Sequence, residues 1–405
     1  MTTTPGLPPA AGERSFDFIH SHCTFHDKPP KIPRSAAGRK FAEIFGRADI
    51  LIDGGRPWDL CVHDERFYDR VLSEGNLGAG ESYVDGWWDV DALDEFFTRV
   101  QRARIQDQVG DWSVRWLALK ARFFNLQSRH RSHAVASEHY DLGNDLYLAM
   151  LDRYMQYTCA YWKDARTLDQ AQENKLRLIC RKLGLRSGMT VLELGSGFGG
   201  LANFMAAEFG CRVVSYNISR EQVAFAQQLC TGLPVRFELR DYRDAIADPE
   251  LFDRVVSIGL CEHIGYKNYR GFLELAHRKL KQGGLFLLHT IGGNQSYTCT
   301  DAWIDRYIFP NGMTPSIRQI GEAAEGLWVT EDWHNFGPDY DRTLMAWWDN
   351  FNAAWPVLRP RYGDRFYRMW RYYLLASAGA FRSRRLQLWQ IVFSKGDIAG
   401  YTPVR

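Results

Sequence analysis

The run from Val191 to Gly200, VLELGSGFGG, combines residue types that can bring bare backbone against a ligand. Val191, Leu192 and Leu194 suit a parallel strand covered on both faces, with Glu193 set among them. Gly195, Gly197 and Gly199 permit positive φ angles and leave no Cβ between the main chain and a nucleoside. Two chemistries use such a loop. A dinucleotide would rest its pyrophosphate on the N-terminus of the next helix, whereas S-adenosylmethionine (SAM) would place its methionine and ribose there. Farther along, Asn217, Ser219 and Gln222 stand where many dehydrogenases carry a ribose-binding acid, which weakens the hydride-transfer reading. Glu262 and His289 fall at the ends of adjacent strands in this reading, where open α/β sheets place their sites. The same two residues also read as a helix N-terminal carboxylate and a hydrogen-bonded core histidine.

These residues need elements to hold them. After the glycine loop the pattern predicts a helix from Leu201 to Phe209, a strand from Cys211 to Tyr216 and a helix from Arg220 to Cys230. Strands from Val235 to Leu239 and from Phe252 to Gly259, a helix from Tyr269 to Leu280 and a strand from Gly284 to His289 follow. A late strand, Leu386 to Ser394, closes the sheet. This alternation predicts an α/β fold built on a doubly wound sheet. Between Asp301 and Ser383 lies a long aromatic helical insertion, expected to cover a substrate pocket. Its Leu344, Trp347, Trp348, Phe351 and Trp355 recur at helix spacing as a core stripe, some of whose rings could face an acyl tunnel.

Upstream, residues 1–34 lack periodicity and read as a mobile arm; its HSHCTFH run, His20 to His26, has no second half-site at zinc-finger spacing, so no metal is expected. Residues 35–108 read as a small accessory domain, with strand-like alternation at Ile50 to Asp53 and glycine-rich turns at Gly54-Gly55 and Gly75 to Gly80. From Arg99 to His133, eight Arg or Lys face only two Asp, with Trp and Phe interleaved. That composition suits an anionic membrane surface, or a linker helix over 109–135 packed between two domains. At 45% hydrophobic residues the chain can build a large core, and a net charge of +2 is too small for wholesale nucleic-acid binding. Eight cysteines without a CxxC pair are expected to be reduced thiols in a cytoplasm. No signal-peptide pattern and no apolar run of spanning length is visible, so the chain is expected to be neither exported nor membrane-spanning.

A series of long motifs then narrows the choice. GESYVDGWW (from Gly80), FNLQS (Phe124), EHYDLGNDLY (Glu138), MQYTCAYWKDA (Met155), CEHIGYKNY (Cys261), LLHTIG (Leu287), YIFPNG (Tyr307), EDWHNFGPDYDRTLMAWW (Glu331) and LQLWQIVFSKG (Leu386) occur in this order. With them the chain resembles the cyclopropane-fatty-acyl-phospholipid synthases, over roughly Phe67 to Gly396. The resemblance includes an N-terminal domain of the bacterial phospholipid-acting enzymes that the shorter mycolic-acid relatives lack.

The resemblance implies a class I SAM-dependent methyltransferase fold in residues 136–405. It also implies that the olefin of an unsaturated phospholipid chain attacks the SAM methyl group, giving a cation that loses a proton to bicarbonate as the ring closes. By it, Gly195, Ser196 and Gly197 match the SAM loop, although the family usually has Asp, Cys and Trp where Glu193, Ser196 and Phe198 stand. Asn217, Ser219 and Gln222 follow the second strand, Asp241 and Tyr242 flank the adenine, and Tyr157 and Thr158 cover the cofactor. Cys159, Glu262, His289, Ile291 and Tyr340 match the bicarbonate site, with Glu262, His289 and Tyr340 as catalytic residues. Trp303, Tyr307, Phe309 and Ser377 are lipid-pocket candidates, Ser377 standing where the family commonly has Cys. The implied partners are unsaturated phospholipids at the inner membrane surface and a second copy of the chain. Three alternatives stay open: a sibling enzyme releasing a methylene-branched product, an N-methylating relative, and a non-catalytic SAM- and lipid-binding protein.

Overall fold

The computed structural model describes residues 33–105, 143–396 and 398–405. The expectations for the N-terminal arm, its histidine run and the linker helix over 109–135 lie outside these described residues.

Strand β3 (Thr190–Leu194) is buried along its whole length, as its apolar run requires. Parallel neighbours flank it on both sides: β4 (Arg212–Asn217), with Leu192 opposite Val214, and β6 (Phe252–Ile258), with Leu192 opposite Val255. Beyond them lie β5 (Val235–Leu239) on one side and β7 (Leu280–Gly293), β9 (Leu386–Ser394) and β8 (Val329–Asn335) on the other, in the order β5-β4-β3-β6-β7-β9-β8. Alternate side chains feed two layers. Leu192, Leu194, Phe286 and Leu288 pack one face, and Val191, Val213, Val256 and Leu287 the other. The order reverses at β3, so the crevice above the carboxyl ends of β3 and β6 is the switch point at which doubly wound sheets bind ligands.

Several expectations are corrected. The late strand, β9 (Leu386–Ser394), does not close the sheet: it runs antiparallel between β7 and an edge strand, β8 (Val329–Asn335). The insertion is therefore not wholly helical. It also contains a helix from Pro338 to Arg382, bent at Gly363 (φ 73°) just beyond Pro356 and Pro360, which can neither donate to nor continue a regular helix. Gly75 to Gly80 is not a turn: the chain reverses only at Gly75, and Asn76–Val84 is a helix. A Cβ on Gly78 would lie 2.6 Å from the Arg70 carbonyl, so this glycine serves close helix packing. The strand-like stretch Ile50 to Asp53 contributes one bridge, Ile52 to Leu60, and the small sheet is β1 (Cys61–Val62) paired with β2 (Trp88–Asp89). Cys61 is disulfide-bonded, against the expectation of reduced thiols throughout; with no CxxC spacing there was no sequence signal for it.

The N-terminal helices share one apolar cluster with the bent helix, running from Phe41 and Trp88 to Trp370 and Phe381. Arg382 bridges Asp94 (2.5 Å) and Asp341 (2.8 Å), and Arg371 donates to the Val90 and Asp91 carbonyls (3.0 and 2.8 Å).

Candidate active site

The glycine loop is held by backbone bonds before any ligand is considered. Gly195 N and Ser196 N both donate to the Tyr216 carbonyl at 3.1 Å, and Gly195, Gly197 and Gly199 all have positive φ. Asn217, at the end of β4, donates to Ser196 Oγ (2.9 Å), the Gly197 carbonyl (3.0 Å) and Gln222 Oε1 (3.0 Å). Gly200 opens the following helix (Gly200–Phe209), and a Cβ there would lie 1.9 Å from the Tyr154 carbonyl. Only glycine lets the segment at residues 154–158 cross so close above the loop.

All the expected cofactor residues except Ser219 line one cavity: Tyr157, Thr158, Glu193, Gly195, Ser196, Gly197, Asn217, Gln222, Asp241 and Tyr242. Ser219 instead caps the helix Arg220–Leu229, accepting from Gln222 N at 3.3 Å. Glu193 accepts from Ser215 Oγ at 2.6 Å, and burial pushes its carboxyl up to about 8. Asp241 is fixed by Arg243, whose Nη1 donates to it at 3.0 Å. The cavity also takes in His263 and Phe309, packed edge to face at 5.6 Å, and burial brings the imidazole down to about 4. No sequence signal separated His263 from its neighbour Glu262.

Beyond the cavity wall the expected anion site converges from four elements. Glu262 sits in a short 3-10 turn after β6, and its Oε1 accepts from the Ile291 amide of β7 at 2.6 Å. Its Oε2 is buried without a partner, and desolvation pushes the carboxyl up to about 7. His289, on the same face of β7 as Ile291, has its Nδ1 3.3 Å from Gln390 Nε2, while its Nε2 is buried without a partner. Burial, followed by the nearby Lys175 and Lys182, holds His289 well below its usual range, so it is neutral. The Tyr340 ring lies 4.5 Å from Phe381, and its buried phenol is raised by desolvation and by the nearby Tyr373, Cys159 and Glu262. Cys159 is fully buried and its thiol is pushed up, which keeps it protonated.

This donor set fits a small anion such as bicarbonate. A carboxyl titrating near 7 with a free buried oxygen, and a neutral imidazole with a free buried nitrogen, can each offer a proton where nothing in the protein accepts it. Among the described residues no His, Cys, Asp and Glu cluster could hold a metal ion.

The lipid-pocket candidates divide. Phe309 lines the cavity, 6.5 Å from the Tyr157 ring. Ser377 is half-buried, one helical turn from both Tyr373 and Phe381 on the face toward Tyr157 and Tyr340. Trp303 and Tyr307 instead join the N-terminal helices to the insertion. A Cβ on Gly80 would lie 2.3 Å from Trp303, and Tyr307 donates to Glu81 at 2.8 Å.

Sequence reasoning missed a supporting group. Lys175 is fully buried and donates to Thr158 Oγ1 at 3.0 Å and to Gln156 Oε1, which holds the segment over the cavity. Thr343 accepts from the Ala160 amide (3.1 Å) and Trp162 Nε1 (3.0 Å). A usable signal existed for Lys175 and Lys182, which stand on the apolar face of the helix Leu168–Lys182.

Comparison with known proteins bears on this geometry. Residues 127–391 match the family model described as mycolic acid cyclopropane synthetase. The chain is 53% identical over 355 residues to the cyclopropane-fatty-acyl-phospholipid synthase of Escherichia coli (strain K12), covering 87% of this chain and 92% of that protein. A crystal structure of a mycolic acid cyclopropane synthase complexed with SAH and CTAB superposes with a TM-score of 0.60 at 31% identity, covering 65% of this chain and 98% of that one. Coclaurine N-methyltransferase, at 21% identity and a TM-score of 0.63 over 78% of this chain and 98% of that one, shares the fold.

Proposed function

The chain belongs to the mycolic acid cyclopropane synthetase family and is a SAM-dependent methyltransferase that forms cyclopropanes, and on that premise we propose that its substrate is the cis double bond of phospholipid acyl chains, with bicarbonate held by Cys159, Glu262, His289, Ile291 and Tyr340. The observation that carries this reading is the pair of buried, unpartnered atoms Glu262 Oε2 and His289 Nε2. SAM supplies the one-carbon unit, and bicarbonate when bound supplies a proton acceptor.

The chain's own residues do the rest. Gly195, Ser196, Gly197, Asn217 and Gln222 present the loop and the end of β4 to the methionine and ribose, while Asp241 and Tyr242 flank the adenine. An alkene is a feeble nucleophile, so the gain comes from holding it against the methyl group in a dry site. Tyr157, Tyr373 and Trp347 form a closed aromatic wall, Tyr157 donating to the Tyr373 hydroxyl at 3.0 Å. Rings of this kind stabilise a cation by about 1–2 kcal/mol each when desolvated. Glu262 and His289 offer donors to the anion, and Glu262, titrating near 7, can share the proton released from the substrate.

No helix among the described residues is long and apolar enough to cross a membrane. Reaching an acyl chain in a bilayer is assigned to the basic, aromatic stretch at 99–133, and the reading places the enzyme on the cytoplasmic membrane surface. Incubation of the purified protein with SAM and a cis-monounsaturated phospholipid tests the reading. A gain of one CH₂ with cyclopropane protons in the product NMR spectrum is expected; a methylene branch would overturn it in favour of the sibling reaction.

A further inference from the structure

We propose that Gln390 is a positioning residue that holds His289 as its Nε2–H tautomer, so that the imidazole presents a hydrogen-bond donor to the anion site. The inference rests on the reading of Glu262 and His289 as that site. A neutral imidazole has two tautomers of similar energy, and the hydrogen bond made by one ring nitrogen decides which nitrogen carries the proton. Here β7 and β9 place His289 and Gln390 directly opposite each other, and Gln390 Nε2 lies 3.3 Å from His289 Nδ1. An amide nitrogen can only donate. With the Gln390 amide nitrogen turned to the ring as donor, His289 Nδ1 accepts, and the ring proton resides on Nε2, the buried atom left without a partner.

The register continues to the edge strand, where His334 stands opposite Gln390 on its other side. His334 Nδ1 is 3.1 Å from Lys182 Nζ, and Lys182 is paired with buried Asp332 at 3.2 Å. An ammonium likewise only donates, so His334 is held in the same tautomeric sense. Gln390 is itself fully buried, and its Oε1 makes no hydrogen bond. A residue serving only to fill this position would be apolar.

Nitrogen-15 NMR of histidine-labelled enzyme tests the tautomer directly, with the His289 signals assigned by their loss in His289→Asn. In the wild type a protonated Nε2 and a bare Nδ1 are expected; a protonated Nδ1 would overturn the proposal without any functional assay. Gln390→Glu offers an acceptor to Nδ1 and should invert the tautomer, raising the bicarbonate concentration for half-maximal turnover about tenfold through loss of one hydrogen bond to the anion. SAM affinity should stay within about twofold of the wild type, since Gln390 does not line that cavity. Gln390→Leu, which retains bulk, should give a tautomer mixture and an intermediate effect. A folded variant with unchanged tautomer and unchanged bicarbonate response would overturn the proposal. A wild-type enzyme with Nε2 protonated but no bicarbonate response would instead overturn the anion-site reading and leave the tautomer assignment standing.

Discussion

At the residue scale, burial sets the ionisation of a few groups at the site. Glu262 titrates near 7 in the folded chain against an ordinary 4.5, so its contribution to stability is complete below the unfolded value and is lost as pH rises through 7. Glu262→Gln removes that loss. Urea titrations at pH 5 and pH 8 should show the variant gaining on the wild type as pH rises, by at most about 3 kcal/mol. Its turnover should fall about 100-fold or more with SAM affinity unchanged, because the amide cannot take up a proton. Equal turnover would contradict a role in proton loss. Gly197 has a φ of 50°, and a Cβ there meets nothing within 4 Å, so a larger side chain would project into open space at the cavity lining. Gly197→Val should weaken SAM binding about 100-fold, roughly 3 kcal/mol, as read by calorimetric titration. The glycine loop at Gly197 was legible as a ligand loop from its residues, whereas Glu262 reads by itself equally as a helix N-terminal carboxylate and was singled out by the family motifs. Gln390 was not legible, because a buried amide on a strand looks like a surface residue until the neighbouring strands are placed, whereas Lys175 was marked by its place on the apolar face of its helix.

At the element scale, legibility followed the hydrophobic pattern. Strands β3, β4, β6, β7 and β9 were visible by their apolar runs and β5 (VRFEL) by its alternation, while β8 was not: of its seven residues, VTEDWHN, only Asp332 is buried, as suits an edge strand. The helix at Asn76–Val84 was hidden by glycines that serve packing rather than turning. The strand order could not be read from the pattern, because adjacency of β7, β9 and β8 depends on partners distant in sequence. One side chain shows how the elements hold the site. Thr343, on the bent helix, is the hydrogen-bond acceptor for the buried Ala160 amide beside Cys159. Thr343→Val keeps the shape and strands that amide, which should cost about 1–3 kcal/mol in a urea titration and lower turnover by displacing Cys159. Unchanged turnover in a destabilised variant would confine Thr343 to a structural role.

At the scale of the whole molecule, the N-terminal helices and the catalytic sheet are tied through the bent helix. Gly379 marks the seam: a Cβ there would meet Phe97 Cβ at 2.7 Å and the Asp94 carbonyl at 2.8 Å. Gly379→Val should destabilise the protein by about 1–3 kcal/mol, read as a lower Tm, while the glycine-loop cavity keeps its SAM affinity. Lost SAM binding in a folded variant would show that the seam also shapes the cofactor site. In the proposed function, cyclopropanation of phospholipid chains draws on an anion bound between Glu262 and His289. The most direct measurement is turnover on vesicles of a cis-unsaturated phospholipid, at saturating SAM, as bicarbonate is titrated into buffer freed of carbon dioxide. The expected result is a saturable rise in kcat that is lost in Glu262→Gln; a kcat already maximal without bicarbonate, and unchanged on its addition, would contradict the account.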